Sequence, residues 1–123
     1  MKKQLKDRWL KRLRDPKMRK CKFAYVDKLN LENVLKDNDI DTKDIGTCCV
    51  IGHFFVANRQ AISNSIKAYC KKRKYNGVYL EYNWSRTFIP QELHINVAGM
   101  NDGTDKSLPE IADWIDANVQ VTE

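Results

Sequence analysis

Apolar residues in this chain are densest between Ile45 and Phe55, a block that carries Gly46, Gly52 and the β-branched pair Val50 and Ile51. A segment of that composition is buried in any folded form, but over so few residues periodicity separates a buried helix from a buried strand poorly. The better reading is a helix that runs, with a break, into Ala57 to Cys70, where Ala61, Ile62, Ile66, Tyr69 and Cys70 share one helical face. No run approaches the ~20 apolar residues of a membrane span. Cys48 to Ile51 is interrupted by Gly52 and His53 before Phe54 and Phe55. At 123 residues the chain reads as a single domain over 1–123, large enough to bury roughly two thirds of its unfolded surface.

The other elements follow from spacing and from breakers. Leu5, Trp9 and Leu13 recur every four residues and Leu10 widens the stripe, which predicts an amphipathic helix over Lys2 to Leu13. Asp15-Pro16 ends it, because a residue before proline is steered out of the α region. Met18 to Lys22 is a basic connector, Phe23 to Val26 a short strand, Leu31 to Lys36 a helix capped by Asn30, and Asn38 to Asp44 an acidic loop. After the Asn76-Gly77 turn, Val78 to Tyr82 alternates as a strand and pairs with Arg86 to Ile89. Pro90 opens a short helix to about Val97, and Asn101-Asp102-Gly103 is a turn. Ser107 and Glu110 have the spacing of a capping box. Leu108, Ile111, Ala112 and Ile115 form the inner face of that last helix, with Trp114 at its edge, and Val119 to Glu123 is a fraying tail or an edge strand. The sum is an α+β fold: four or five helices packed with a small antiparallel hairpin, with Trp9, Phe54, Phe55 and Trp114 in the core.

Charge is sorted along the chain, for a formal net charge of +6. Residues 1–22 carry eleven Lys/Arg and two acidic residues, whereas residues 100–123 carry six Asp/Glu and one Lys. A second basic cluster, Lys67 and Lys71 to Lys74, stands beside Tyr69, Tyr75, Tyr79, Tyr82 and Trp84. Such segregation makes a local positive field that favours anionic partners. Arg12, Arg14, Lys17, Arg19 and Lys20 are candidates to clamp phosphates, arginine doing so in a bidentate way. The alternative is a solvated face set against the acidic C-terminal helix of the same or a neighbouring subunit, and the opposite ends also permit head-to-tail association into a homo-oligomer. Lys71, Lys72, Arg73 and Lys74, with Tyr75, Tyr82, Trp84 and Arg86, can hold a nucleotide by phosphate contacts and base stacking. Here the alternative is a cationic helix end that favours the dipole, followed by aromatic residues of the core. Asn101-Asp102-Gly103 offers backbone N–H groups to an anion, but Ser107 and Glu110 already use two such donors, so a turn-and-cap role is the better reading.

Reaction chemistry has little support. The basic N-terminus lacks the apolar region and cleavage site of a signal peptide, so Cys21, Cys48, Cys49 and Cys70 read as reduced thiols of an unexported protein. Cys48, Cys49 and His53 are close in sequence, but structural zinc takes spaced cysteine pairs and four ligands, so no metal or cofactor is expected. A Cys49 nucleophile with His53 or His94 as base is conceivable, yet no nucleophile turn, P-loop or dinucleotide fingerprint accompanies it. The expectation is a protein that is not an enzyme.

Four blocks occur in one order: Trp9-Leu10-Lys11-Arg12-Leu13-Arg14, Cys49-Val50-Ile51-Gly52-His53-Phe54, Ile89-Pro90-Gln91-Glu92-Leu93, and Met100-Asn101-Asp102-Gly103 followed by Ser107 to Ile115. This order resembles a group of small phage and prophage proteins whose pattern runs W-x-x-A-L-R-S-G, C-C-L-G-V-L, L-P-x-E and L-N-D-x-G-x-S-F-x-E-I-A-D-x-I-E. Asp15-Pro16 stands where the group has Ser-Gly, the Cys-Cys pair is one residue out of register, and Leu108 replaces the usual Phe. The resemblance implies phage origin and a shared fold, and brings no enzymatic activity with it. Small accessory phage proteins often act against host defence. Together with the cationic clusters, this implies a cytoplasmic protein of an infected bacterial host that sequesters an anionic nucleotide-type defence signal, as an oligomeric sponge. The alternatives are a basic nucleic-acid-binding accessory protein and a protein–protein inhibitor of a host enzyme.

Overall fold

The structure, a computed structural model, describes residues 1–21, 47–73 and 88–122; at positions 63 and 65–73 it describes the backbone alone. Its elements are α1 (Lys3–Leu13), β1 (Arg19–Lys20), β2 (Thr47–Cys48), α2 (Val50–Arg73), α3 (Gln91–Gly103) and α4 (Leu108–Asn118). The arrangement is mostly helical, with four helices and one two-stranded sheet among the described residues.

The expected antiparallel hairpin is corrected for this part of the chain. β1 and β2 pair in parallel, Arg19 opposite Thr47 and Lys20 opposite Cys48. A tight turn joins only antiparallel strands, whereas residues 21–46 between β1 and β2 leave room for the crossover that a parallel pair requires. The expected strand at 78–82 and the start of its partner at 86–87 lie outside the described residues, as do the strand at 23–26 and the helix at 31–36.

Two boundaries also differ from the sequence reading. The apolar block divides: Thr47–Cys48 is strand, and one continuous helix starts at Val50 and runs to Arg73 with no break before Ala57. The helix after Pro90 does not stop near Val97 but reaches Gly103, so Asn101-Asp102-Gly103 is its last turn and not a free turn.

The core lies where α1, α2 and α4 meet. Leu5, Trp9, Leu10 and Leu13 bury the stripe of α1 against Val50, Ile51, Phe54 and Phe55 of α2 and Leu108, Ile111, Ala112 and Ile115 of α4. Trp9 meets Phe54 edge to face, ring centroids 5.2 Å apart at 78°, a geometry that the ring quadrupoles favour. Trp114 stays half-buried at the rim and packs against this cluster without entering it. The C-terminal tail is tied down: Thr122 N–H donates to Met1 O at 3.0 Å, and the N-terminal ammonium reaches Gln120 O at 3.4 Å.

Candidate functional site

Two of the buried polar side chains among the described residues, His53 and Asn101, meet at the junction of β1, β2 and the start of α2. Cys21 N–H donates to Cys48 O at 3.1 Å, continuing the parallel ladder one residue past Lys20. The next rung of such a ladder joins Val50 N–H to Cys21 O. The carboxamide of Asn101 occupies that rung. Its Oδ1 accepts from Val50 N–H at 3.0 Å, and its Nδ2 donates to Cys21 O at 2.9 Å and to Asp102 Oδ1 at 2.8 Å. A side-chain amide therefore stands in for a peptide group and also satisfies an orphan donor at the start of α2. Cys49 satisfies another, its Sγ accepting from Gly52 N–H at 3.3 Å. Burial pushes the Cys49 thiol up to about 12.

His53 sits one turn into α2 and is fully buried. Arg12 Nε donates to its Nδ1 at 3.0 Å, and its Nε2 lies 2.8 Å from Arg19 O. A guanidinium N–H can only donate, so Nδ1 is the acceptor and the proton resides on Nε2. Burial, reinforced by the Arg12 charge, lowers the imidazole to about 4, so the ring is neutral at physiological pH. Burial also lowers Arg12 from its ordinary value, with Cys48 acting in the opposite direction. With both His53 nitrogens engaged, neither is available as a base for Cys49. Among the described residues no group of three or more His, Cys, Asp or Glu is placed to hold a metal ion.

Past Lys2 and Lys3, the latter paired with Asp7 at 2.9 Å, the described N-terminal cations divide into two sets. Arg14 Nη2 pairs with Asp113 at 3.0 Å and Asp116 at 3.3 Å, so part of the charge sorting is resolved within one molecule, between α1 and α4. Lys6, only 8 % exposed, donates to Val119 O at 2.7 Å and Asp116 O at 3.2 Å, where a cation complements the C-terminal end of α4. Lys20 donates to Lys106 O at 2.7 Å. Arg12 is held by His53. The second set is exposed: Arg8 and Lys11 on α1, then Lys17 and Arg19, with no ion pair to any described residue. Asp15 shapes the approach to β1, its Oδ1 accepting from Lys17 N–H at 2.9 Å.

Of the sequence-derived candidates, Arg12, Arg14, Lys17 and Arg19 thus fall at one end of α1 and on β1, and Arg12 and Arg14 are already engaged. Lys71, Lys72 and Arg73 form the last helical residues of α2, while Tyr82, Trp84 and Arg86 lie outside the described residues. Sequence reasoning singled out Asn101 only as part of a turn and missed its carboxamide bridge, and it missed His53 as a bridge and the exposed pair Arg8 and Lys11. The last two carried a readable signal, since they lie on the polar side of the α1 stripe. Asn101 carried none, because its partners are 51 and 80 positions away.

No protein-family model, no curated protein and no solved structure matches the chain. No helix among the described residues is long and apolar enough to cross a membrane.

Proposed function

We propose that the protein binds an anionic, nucleotide-type ligand without turning it over, as a phage accessory protein that sequesters a host defence signal in the cytoplasm of an infected bacterium. The observation that carries the anion-binding part is the second set of cations. Arg8 and Lys11 on α1, Lys17 just before β1 and Arg19 on β1 stay exposed while their neighbours Lys6, Arg14 and Lys20 are engaged within the molecule. Lys71, Lys72 and Arg73 at the end of α2, with Tyr82, Trp84 and Arg86, complete the site in this reading, the rings stacking on the base and the cations holding phosphate. A homo-oligomer assembles such a site from two copies. The phage assignment rests on the four motif blocks.

The exposed position of the four cations on a helix face and strand also favours a second reading, an extended single-stranded nucleic acid along the same surface. A thermal-shift screen of cyclic and linear nucleotides against short single-stranded DNA separates them. A ligand at 100 times its dissociation constant adds about 2.7 kcal/mol of stability. Nucleic-acid affinity falls steeply with salt, in proportion to the phosphates neutralised, whereas a small nucleotide responds less. The double change Lys17→Glu and Arg19→Glu should abolish either shift. No shift with any of these ligands rejects both readings and favours a host protein as partner.

A further inference from the structure

We propose that Cys21 and Cys49 are a cross-strand thiol pair that oxidises reversibly to an intramolecular disulfide, with a small-molecule disulfide such as oxidised glutathione as the electron acceptor. This site lies one residue past β1, next to the strand that carries Arg19, and does not depend on what the cations bind.

The placement follows from register. Arg19 stands opposite Thr47 and Lys20 opposite Cys48, so the next pair is Cys21 and Cys49. The bond from Cys21 N–H to Cys48 O, 3.1 Å, shows that the ladder continues to that point. Residues paired across a ladder project to the same face, and neighbouring strands run about 4.8 Å apart. That spacing lies within the roughly 4.4–6.8 Å between Cα atoms that a disulfide spans. Cys48, next along β2, alternates to the opposite face and is fully buried, whereas Cys21 and Cys49 are half-buried thiols. Cys49 is further fixed by the hydrogen bond from Gly52 N–H to its sulfur at 3.3 Å. Asn101 holds both strands at this level by bridging Cys21 O and Val50 N–H.

Exchange proceeds in two steps. The Cys21 thiolate attacks one sulfur of oxidised glutathione, a mixed disulfide forms, and one glutathione leaves with the proton that Cys21 gave up. Cys49 then loses its proton to solvent and attacks Cys21 Sγ, expelling the second glutathione. The protein gives up two electrons and two protons, and the glutathione disulfide is reduced to two thiols. Cys21 is the opening nucleophile because burial raises the Cys49 thiol to about 12, so little of it is thiolate and it reacts second, when the mixed disulfide on the opposite strand makes its attack intramolecular. The bridge closes the chain between positions 21 and 49 into a covalent loop. It also ties the end of β1 to Cys49, the residue just before α2.

The test is to incubate the full chain with oxidised glutathione, alkylate the remaining thiols and map the bridges by peptide mass spectrometry, with a thermal melt on the same sample. The expected product is one Cys21–Cys49 bridge, a midpoint raised by about 10 °C as loop closure restricts the unfolded chain, and full reversal by dithiothreitol. Cys21→Ser and Cys49→Ser should each remove the bridge and the midpoint shift, while Cys48→Ala should keep both. A dominant bridge to Cys48 or Cys70, or a glutathione adduct on Cys21 that never releases its second glutathione, overturns the proposal. The wild-type map decides the matter even where a variant fails to fold.

Discussion

Helices α2 and α4 both begin with N–H groups that no earlier turn can satisfy, and they satisfy them by different routes. At α4 the solution is local. Ser107 Oγ accepts from Glu110 N–H at 3.3 Å, and Glu110 Oε1 accepts from Ser107 N–H at 3.0 Å. The same bonds hold the Glu110 carboxyl below its ordinary value. At α2 only part of the solution is local, Cys49 Sγ accepting from Gly52 N–H at 3.3 Å; the Val50 N–H is satisfied from elsewhere, by Asn101 Oδ1 of α3, while the indole N–H of Trp9 in α1 donates to the carbonyl of the same residue, Val50 O, at 2.8 Å. A local cap forms whenever its four residues become helical. A cap borrowed from a distance exists only in the finished fold, so it couples the start of α2 to α1, α3 and β1 at once.

The largest test of that coupling is Trp9→Ala. It removes a fully buried ring from the centre of the core, its edge contact with Phe54 and its bond to Val50 O, and should cost about 4–5 kcal/mol of unfolding free energy in urea titration. Trp9→Phe keeps a ring and should recover more than half of that. Asn101→Ala comes next. It leaves the buried Val50 N–H without its acceptor, at about 1–3 kcal/mol, and the part-buried Cys21 O without its donor at a smaller cost, so a total of about 3 kcal/mol is expected. A loss below 1 kcal/mol would mean that the borrowed cap is no stronger than a local one.

His53 extends the same contrast into pH. Its folded value of about 4 lies below the ordinary 6.5, so between these values the unfolded chain binds more protons than the folded one. Stability from this group is complete above pH 6.5 and is lost as pH falls towards 4, by up to about 3 kcal/mol. Protonated His53 would also set its Nδ1–H against the Arg12 guanidinium. Denaturant titrations at a series of pH values should show this loss in the wild type and a flatter profile in His53→Gln. Equal slopes in the two proteins would show that the ring is not held neutral.

What the sequence showed follows the same division. The α1 stripe, the stop at Asp15-Pro16, the inner face of α4 and its capping box were all legible, because each is set by residues within a turn or two of one another. Trp114 was rightly placed at an edge, although it was also counted in the core. The misread places are those where a distant residue decides. The apolar block reads as a helix with a break before Ala57, yet Thr47–Cys48 pairs with a strand far away in the chain and the helix from Val50 runs through Ala57 unbroken. Asn101-Asp102-Gly103 has turn composition, but burying the Asn101 amide against Val50 and Cys21 carries α3 on to Gly103. The parallel pairing of β1 with β2 depends on a crossover that no short-range signal reports. For the cations, composition located Lys17 and Arg19 but could not tell them from Arg14, whose carboxylate partners are 99 and 102 positions away.

Ser107→Ala is the local counterpart of Asn101→Ala and should cost about 1 kcal/mol. Ser107→Asp, which keeps an acceptor at the cap, should cost less. The ratio between the two sites is the informative quantity, because both changes remove an acceptor from a helix start and differ mainly in whether the orphaned groups can turn to water. Ser107 is exposed and Asn101 is buried.

The smallest effect is expected at Arg14. Its pairs with Asp113 and Asp116 have guanidinium and carboxylates largely in solvent, and exposed ion pairs contribute about 0–1 kcal/mol. Arg14→Ala should therefore change stability by less than about 1 kcal/mol, and the difference should vanish at 1 M salt, where the screening length is ~3 Å. That outcome would separate two uses of charge on one helix. Lys6, buried and bonded to the carbonyls that end α4, holds the fold, so Lys6→Met should cost more than Arg14→Ala and respond little to salt. Arg14 takes up Asp113 and Asp116 on a helix that apolar packing already holds against α1, and no ion pair within the described residues reaches Lys17 or Arg19. If Arg14→Ala proved as costly as Lys6→Met, the acidic helix would be a structural clamp on the whole basic segment, and the case for an open anion-binding face would weaken accordingly.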